Sequence, residues 1–142
     1  MVIISNSKDN KTVNHLSAVG RRKEATARVY LQEGSGNIVV NKKLAENYFF
    51  MDKFLIDLVK KPLKLFNKEN DYDLNIIVRG GGFSAQAEAA LLGVSRILLK
   101  ISPEDYKFTL RQNKCLTRDF RSKERRKPGL LKARKRYPFV KR

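Results

Sequence analysis

Residues 117–142 limit what this chain can fold into more than any other stretch. They read TRDFRSKERRKPGLLKARKRYPFVKR. Twelve Lys or Arg stand against two acids, Asp119 and Glu124, so the segment carries +10 of a chain total of +17. Charge of that density opposes collapse through repulsion and lost hydration. The segment therefore stays out of any core and calls for a polyanion. Such an excess is a statement about partners rather than fold. Nucleic acid ranks first, an anionic membrane surface second and acidic proteins third.

The composition of the segment narrows the choice. Phe120, Tyr137 and Phe139 are spaced among the cations and can stack on exposed bases or sugars. Arg118, Arg121, Arg125, Arg126, Arg134 and Arg136 can hold phosphates bidentately, while Lys123, Lys127, Lys132 and Lys135 supply point charges. Pro128-Gly129 and Pro138 forbid one continuous helix. Leu130 and Leu131 are adjacent rather than spread over two turns. A membrane-surface helix and a DNA-reading basic helix are both disfavoured. An extended arm that orders on a folded RNA is the expectation; its last 22 residues would span at most about 70 Å. The plain alternative is a solubilising or generally nucleic-acid-sticky tail.

The rest of the chain has to supply the core. With 42% hydrophobic residues over 142 positions, one domain of modest size plus an appendage is expected. The single Cys115 excludes an internal disulfide and a cysteine zinc cage, and it reads as a small hydrophobe beside Leu116. The single His15 excludes a two-histidine metal site. The apolar runs Ala89–Val94 and Ile97–Leu99 fall short of a membrane span. The N-terminus has neither the cationic start and apolar core of a secretory signal nor the Arg-rich character of a transit peptide.

Three units are expected: a flexible arm at 1–15, a globular α+β domain at 16–116 and the basic tail at 117–142. Within the domain, Ala25, Ala27, Val29 and Leu31 alternate with Thr26, Arg28 and Tyr30, the pattern of a half-buried strand. Gly34-Ser35-Gly36-Asn37 and then Ile38-Val39-Val40 predict a β-hairpin over 23–41. A short helix is predicted within Leu44–Phe50. A second follows, capped by Asp52 and ended by Pro62, with Leu55, Leu58 and Val59 at helical spacing. Leu74, Ile76 and Val78 mark a further strand. Ser84 is expected to cap the longest helix, with Ala87, Ala90, Leu91, Val94, Leu98 and Ile101 as its stripe and Gly93 allowing close approach. Ser102-Pro103 opens a last helix to about Gln112. The sum is a small sheet of about four strands packed with three to four helices, plus the long basic tail.

Gly80, Gly82 and Ala85 have the G-x-G-x-x-A spacing of a dinucleotide fingerprint, after a strand and before a helix. The fingerprint also needs a later parallel strand bearing an acid, and none is predicted. The plainer reading is a tight strand-to-helix turn with close helix–sheet packing. Asp71, Asp73, Glu104 and Asp105 all have ordinary turn or helix-start roles. With no second His and no activated Cys, an enzyme is not expected, nor is a cofactor or metal. Arg21-Arg22-Lys23 is a smaller basic cluster: a solvated strand start in the plain reading, a contact to the same polyanion in view of the tail.

Taken together, VGRRKEATARV (19–29), GSGNIVVN (34–41), GGGFSAQAEA (80–89), LTRDFRSKERRKPGLLKARKR (116–136) and the closing Phe139-Val140-Lys141-Arg142 resemble the ninth protein of the small ribosomal subunit in its bacterial and organellar form. The order of motifs is kept over residues 18–142. The resemblance implies a sheet-plus-helices fold with its tail in the head of the small subunit, bound to small-subunit ribosomal RNA and beside neighbouring head proteins. It implies that Lys141-Arg142 approach the anticodon arm of transfer RNA in the peptidyl site. The ending departs from the family's usual Pro-Gln-Phe-Ser-Lys-Arg, with Tyr137-Pro138-Phe139-Val140 before the two retained cations. Lys/Asn/Ile-rich usage and the LQEGSG and LLGVSRILLKIS stretches look closest to plastid-encoded versions, with a bacterial cytoplasm as the alternative. Two other functions stay open at this point: a nucleotide-binding enzyme using the Gly80–Gly82 turn, and a general nucleic-acid-condensing protein.

Overall fold

A computed structural model of the chain describes residues 16–138. The element order is β1 (Leu16–Arg22), β2 (Ala25–Glu33), β3 (Ile38–Val40), β4 (Lys43–Leu44), α1 (Ala45–Tyr48), α2 (Lys53–Lys64), β5 (Tyr72–Arg79), α3 (Phe83–Ile101) and α4 (Pro103–Gln112). The five strands form one sheet in the order β1-β2-β5-β3-β4. The expected α+β class holds, with one strand more than the sequence indicated.

Neither the two-residue β4 nor β1 is among the three strands located by alternation, and the larger addition is β1. It pairs antiparallel with β2 from Leu16↔Leu31 to Arg22↔Ala25, leaving Lys23-Glu24 as a two-residue turn. The inward face of β1 shows mainly Ala18 and Gly20, both buried, and so carries little apolar signal. The small residues are there because α3 lies directly against the strand. A Cβ on Gly20 would sit 1.9 Å from the Ala89 carbonyl oxygen, and one on Gly93 would sit 2.6 Å from a Val29 methyl. The close approach expected of Gly93 is thus made, with Gly20 as its partner. Arg96 and Lys100 of α3 donate to the outward carbonyls of Val19 (2.6 Å) and Ser17 (2.7 Å), which blunts this edge against further pairing.

The predicted 23–41 hairpin is not formed. Both strands exist, but β5 lies between them, antiparallel to β2 and parallel to β3. The four-residue loop is anchored to β5 instead of closing on β2. Asp73 accepts from the backbone N–H of Ser35 (3.0 Å) and Asn37 (2.7 Å), and Leu74 donates to the Asn37 carbonyl (2.9 Å). The short β2–β1 turn satisfies one side of β2 locally, so the second partner comes from far along the chain.

Asp52 caps α2 as expected, accepting from Phe54 N–H at 3.0 Å. Pro62 does not end this helix, which runs on to Lys64. Its ring is buried, and near the C-terminus the one lost backbone bond is offset by that burial. Ser84 is not the cap of α3. Gly82 holds that position with extended backbone and no side-chain bond. The buried face of α3 is wider than one stripe: Ala85, Ala87, Ala89, Ala90, Leu92, Val94, Ile97 and Leu98 are all buried. The helix is enclosed by β1 and β2 on one side and by α2 and α4 on others. Ala27, Val29, Val40, Ile76, Val59, Leu63 and Leu110 complete the core. No helix among the described residues is long and apolar enough to cross a membrane.

Candidate nucleic-acid interface

The interface begins where β1 ends. Gly20 faces α3, so Arg22, two residues on, faces the same way and reaches Glu88 one helical turn before the helix passes Leu92. The Arg22 side chain is only 12% exposed. Its Nε donates to Glu88 Oε2, its Nη1 to the Arg121 carbonyl at 2.8 Å, and its Nη2 lies 3.2 Å from Asp119 Oδ2. One guanidinium therefore joins strand, helix and the root of the tail. Arg21, Arg22 and Arg118 meet here around a cleft of about 170 Å³, with Lys114 beside them.

Arg121 wraps the same carboxylate. It gives Asp119 its backbone N–H at 2.9 Å and its Nη2 at 2.7 Å. These hydrogen bonds, with the charges of Arg121 and Arg22 behind them, hold the Asp119 carboxyl well below the usual carboxylate range. The tail's other acid, Glu124, is met by Arg134 at 2.8 Å and by Lys127 at 3.9 Å. Both acids are thus neutralised from within. Arg125, Arg126, Lys123, Lys132, Lys135 and Arg136 are exposed, and no ion pair to any of them is formed among the described residues.

No residue of 117–138 is buried, and none lies in an α-helix or strand. Pro128-Gly129 act as expected against a helix. The segment is not a straight arm, because a turn with Leu130 N–H on the Lys127 carbonyl bends it and brings Glu124 to Arg134. Phe120 is 84% and Tyr137 48% exposed, so both rings are open for stacking. Lys23 sits in the β1–β2 turn with φ of 48°. His15, Phe139, Lys141 and Arg142 lie outside the described residues.

Sequence reasoning missed three participants. Glu88 and the clamp role of Arg22 are visible only once β1 is placed on α3. Arg28 and Arg79 are brought beside Arg21 on the outward sheet face by the β1–β2–β5 register. Their alternation was legible; their neighbours were not.

The glycine run is a packed turn. Gly80 and Gly81 have φ of 71° and 64°, and a Cβ on either would strike Glu24 O or Ala25. Gln86 donates to the Gly80 carbonyl (3.1 Å) and accepts from Tyr48 Oη (2.8 Å), filling the space in front of it. No strand follows α3 among the described residues. A nucleotide pocket therefore finds no support here. Cys115 is buried at 1% exposure, and burial raises its thiol pKa, the environment of an unreactive hydrophobe. Among the described residues no cluster of metal-ligating side chains forms.

Comparison with known proteins gives the family. The family model described as ribosomal protein S9/S16 matches residues 20–142. The chain is 51% identical over 130 residues to small ribosomal subunit protein uS9 of Porphyromonas gingivalis, covering 92% of this chain and all of the relative. It is 50% identical over 127 residues to protein uS9 of Parabacteroides distasonis, covering 89% and 98%. It is 48% identical over 126 residues to protein uS9c of Emiliania huxleyi, covering 89% and 95%.

Proposed function

This chain belongs to the ribosomal protein S9/S16 family, and from that premise we propose that it is a non-catalytic structural constituent of the small ribosomal subunit that binds small-subunit ribosomal RNA in the head. The observation that carries this is the tail. Its acids are consumed internally, its cations are exposed and none of its described residues is buried. In this reading Arg118 to Arg136 anchor in ribosomal RNA, Tyr137 and Phe139 stack on it, and Lys141-Arg142 reach the anticodon arm of peptidyl-site transfer RNA. The globular domain lies against neighbouring head proteins and RNA.

The test is co-sedimentation of the full chain with small-subunit particles through a sucrose gradient at moderate salt. Recovery in the particle fraction is expected, and recovery only at the top of the gradient overturns the reading. Equal affinity for duplex DNA and ribosomal RNA would favour a general condensing protein instead. For the compartment we favour the plastid stroma, with the bacterial cytoplasm as the alternative. Lys/Asn/Ile-rich usage and the match to the Emiliania huxleyi protein support the first; the Porphyromonas gingivalis match supports the second. Detection of the transcript in a plastid RNA fraction decides between them.

A further inference from the structure

Among the described residues, helices cover one face of the sheet only. On the other, the register sets residues in rows across three strands. Arg21, Thr26 and Arg79 form one row, and Val19, Arg28 and Ile77 the next. Arg21, Arg28, Arg79 and Ile77 are exposed, Ile77 at 42%. A depression of about 240 Å³ is lined by Thr26, Arg28, Ile77 and Arg79. With strands about 4.8 Å apart, Arg21 and Arg79 stand about 10 Å from one another across Thr26. Arg28 lies diagonal to both, about 7–8 Å from each neighbouring-row partner.

Three guanidinium groups this close repel one another. Strand pairing sets like charges together only at a cost. No ion pair to any of the three forms among the described residues. The next row of this face, Ser17, Tyr30 and Asn75, is also free of acids. The first acid on the face is Asp73, whose carboxylate is taken by the 34–37 loop. Glu24 sits in the turn at the near end and makes no ion pair with them. The core has no use for these arginines, and among the described residues their charge is uncompensated.

We propose that the helix-free β1–β2–β5 face is a second RNA-binding surface, on which Arg21, Arg28 and Arg79 hold closely spaced phosphates of one RNA backbone while Ile77 packs on a ribose or base edge. This rests on the ribosomal-RNA reading above and adds a site on the sheet, which meets the tail-root cleft at Arg21. The commitment to RNA over a protein follows from the charge: planar forks in an acid-free patch match phosphate geometry. The surface also anchors the domain itself, so that the tail is not its sole attachment.

The test uses the full chain and a small-subunit ribosomal RNA transcript, with affinity measured between 50 and 200 mM salt. The triple variant Arg21→Gln, Arg28→Gln, Arg79→Gln is expected to reduce the slope of log affinity against log salt by about 2–3 and to lower affinity at least tenfold. The triple Lys variant keeps the charges and is expected to keep the slope. A tail variant, Arg125→Gln with Arg126→Gln and Lys127→Gln, is expected to add its loss independently. Circular dichroism confirms that each variant is folded; should the Gln triple unfold, Ile77→Glu serves, expected to weaken binding by placing an acid amid the arginines. A Gln triple with unchanged slope and affinity within twofold overturns the proposal. So does normal RNA binding with selective loss of a protein neighbour from assembled particles, which assigns the face to an acidic protein. If the unaltered chain itself ignores the transcript, the ribosomal-RNA reading fails and this proposal with it.

Discussion

Arg22 Nη2 lies 3.2 Å from Asp119 Oδ2, linking the first strand to the root of a tail that follows most of the domain in sequence. The same guanidinium holds Glu88 of α3, so the direction in which the tail leaves the domain is set by the fold before any partner binds. Replacing Arg22 by Ala leaves Glu88 and Asp119 facing a void. The carboxylates are partly solvated, so the expected loss is about 1–2 kcal/mol, with a lower Tm. The specific signature is faster protease cleavage after Arg118 and Arg121 in the variant at temperatures well below its melt. Equal cleavage in both proteins would show that the clamp does not restrain the tail.

Gly20 and Gly93 meet different obstacles. A Cβ on Gly20 strikes the Ala89 carbonyl, a backbone atom within a helix; one on Gly93 strikes a Val29 methyl. Gly20→Ala is therefore expected to destabilise by about 3 kcal/mol or more, and Gly93→Ala by about 1–2 kcal/mol. Urea unfolding measures both. Adding Val29→Ala is expected to relieve part of the Gly93→Ala strain and none of the Gly20→Ala strain. Simple additivity in both pairs would contradict this packing account.

These two sites also show what the sequence could and could not reveal. Alternation at Ala25–Leu31 and Leu74–Val78 was visible because each inward residue is buried and each outward one is not. The strand at Leu16–Arg22 was hidden because its inward residues are small, and they are small because of a helix some 70 positions later. The β2–β3 hairpin was misread for the same kind of reason. A glycine-rich loop between two strands does not say whether a third strand enters between them. The exposure of the tail was legible from charge alone, since it follows from repulsion. The Arg22 clamp was not, since a basic cluster looks the same whether it faces solvent or the carboxylates of a neighbouring helix and tail.

The pH response of the clamp follows from Asp119. Its pKa is depressed in the folded protein, first by the Arg121 side chain and then by the Arg121 backbone N–H, with Arg22 adding charge. A carboxylate shifted this way contributes stability that is fully present above its unfolded value, about 3.9. That contribution is lost as pH falls through the lower folded value. Tail-root protection is expected to be constant from pH 8 to pH 5 and to weaken only below about pH 4. The carboxyl-carbon chemical shift of Asp119 reports this directly. A titration midpoint at or above the unfolded value would contradict it.

Phosphate neutralisation is expected to dominate affinity for ribosomal RNA. If about eight tail cations contact phosphates, raising salt from 50 to 200 mM lowers affinity roughly a thousandfold or more. Stacking by Phe120 and Tyr137 is much less sensitive to salt. Phe120→Ala is then expected to weaken binding by about 1–3 kcal/mol while leaving the salt slope unchanged. A flat salt response of the unaltered chain would sink the electrostatic account, and a changed slope in Phe120→Ala would show that the ring acts by placing its charged neighbours.

The tail's final residues are expected to act separately from its root. Lys141 and Arg142 are two of twelve cations in residues 117–142, and ten others precede them. Deleting the pair removes little of the attraction to ribosomal RNA, so incorporation into small subunits is expected to match the full chain in gradient profiles. If the end of the tail reaches transfer RNA, the same particles are expected to bind peptidyl-site transfer RNA more weakly, and the loss to shrink as salt rises, because two screened charges carry it. Adding back Lys-Lys is expected to restore more of the binding than adding Gln-Gln. Loss of incorporation from this deletion would show that the two residues anchor in ribosomal RNA and would remove the division of the tail into an anchor and a tip.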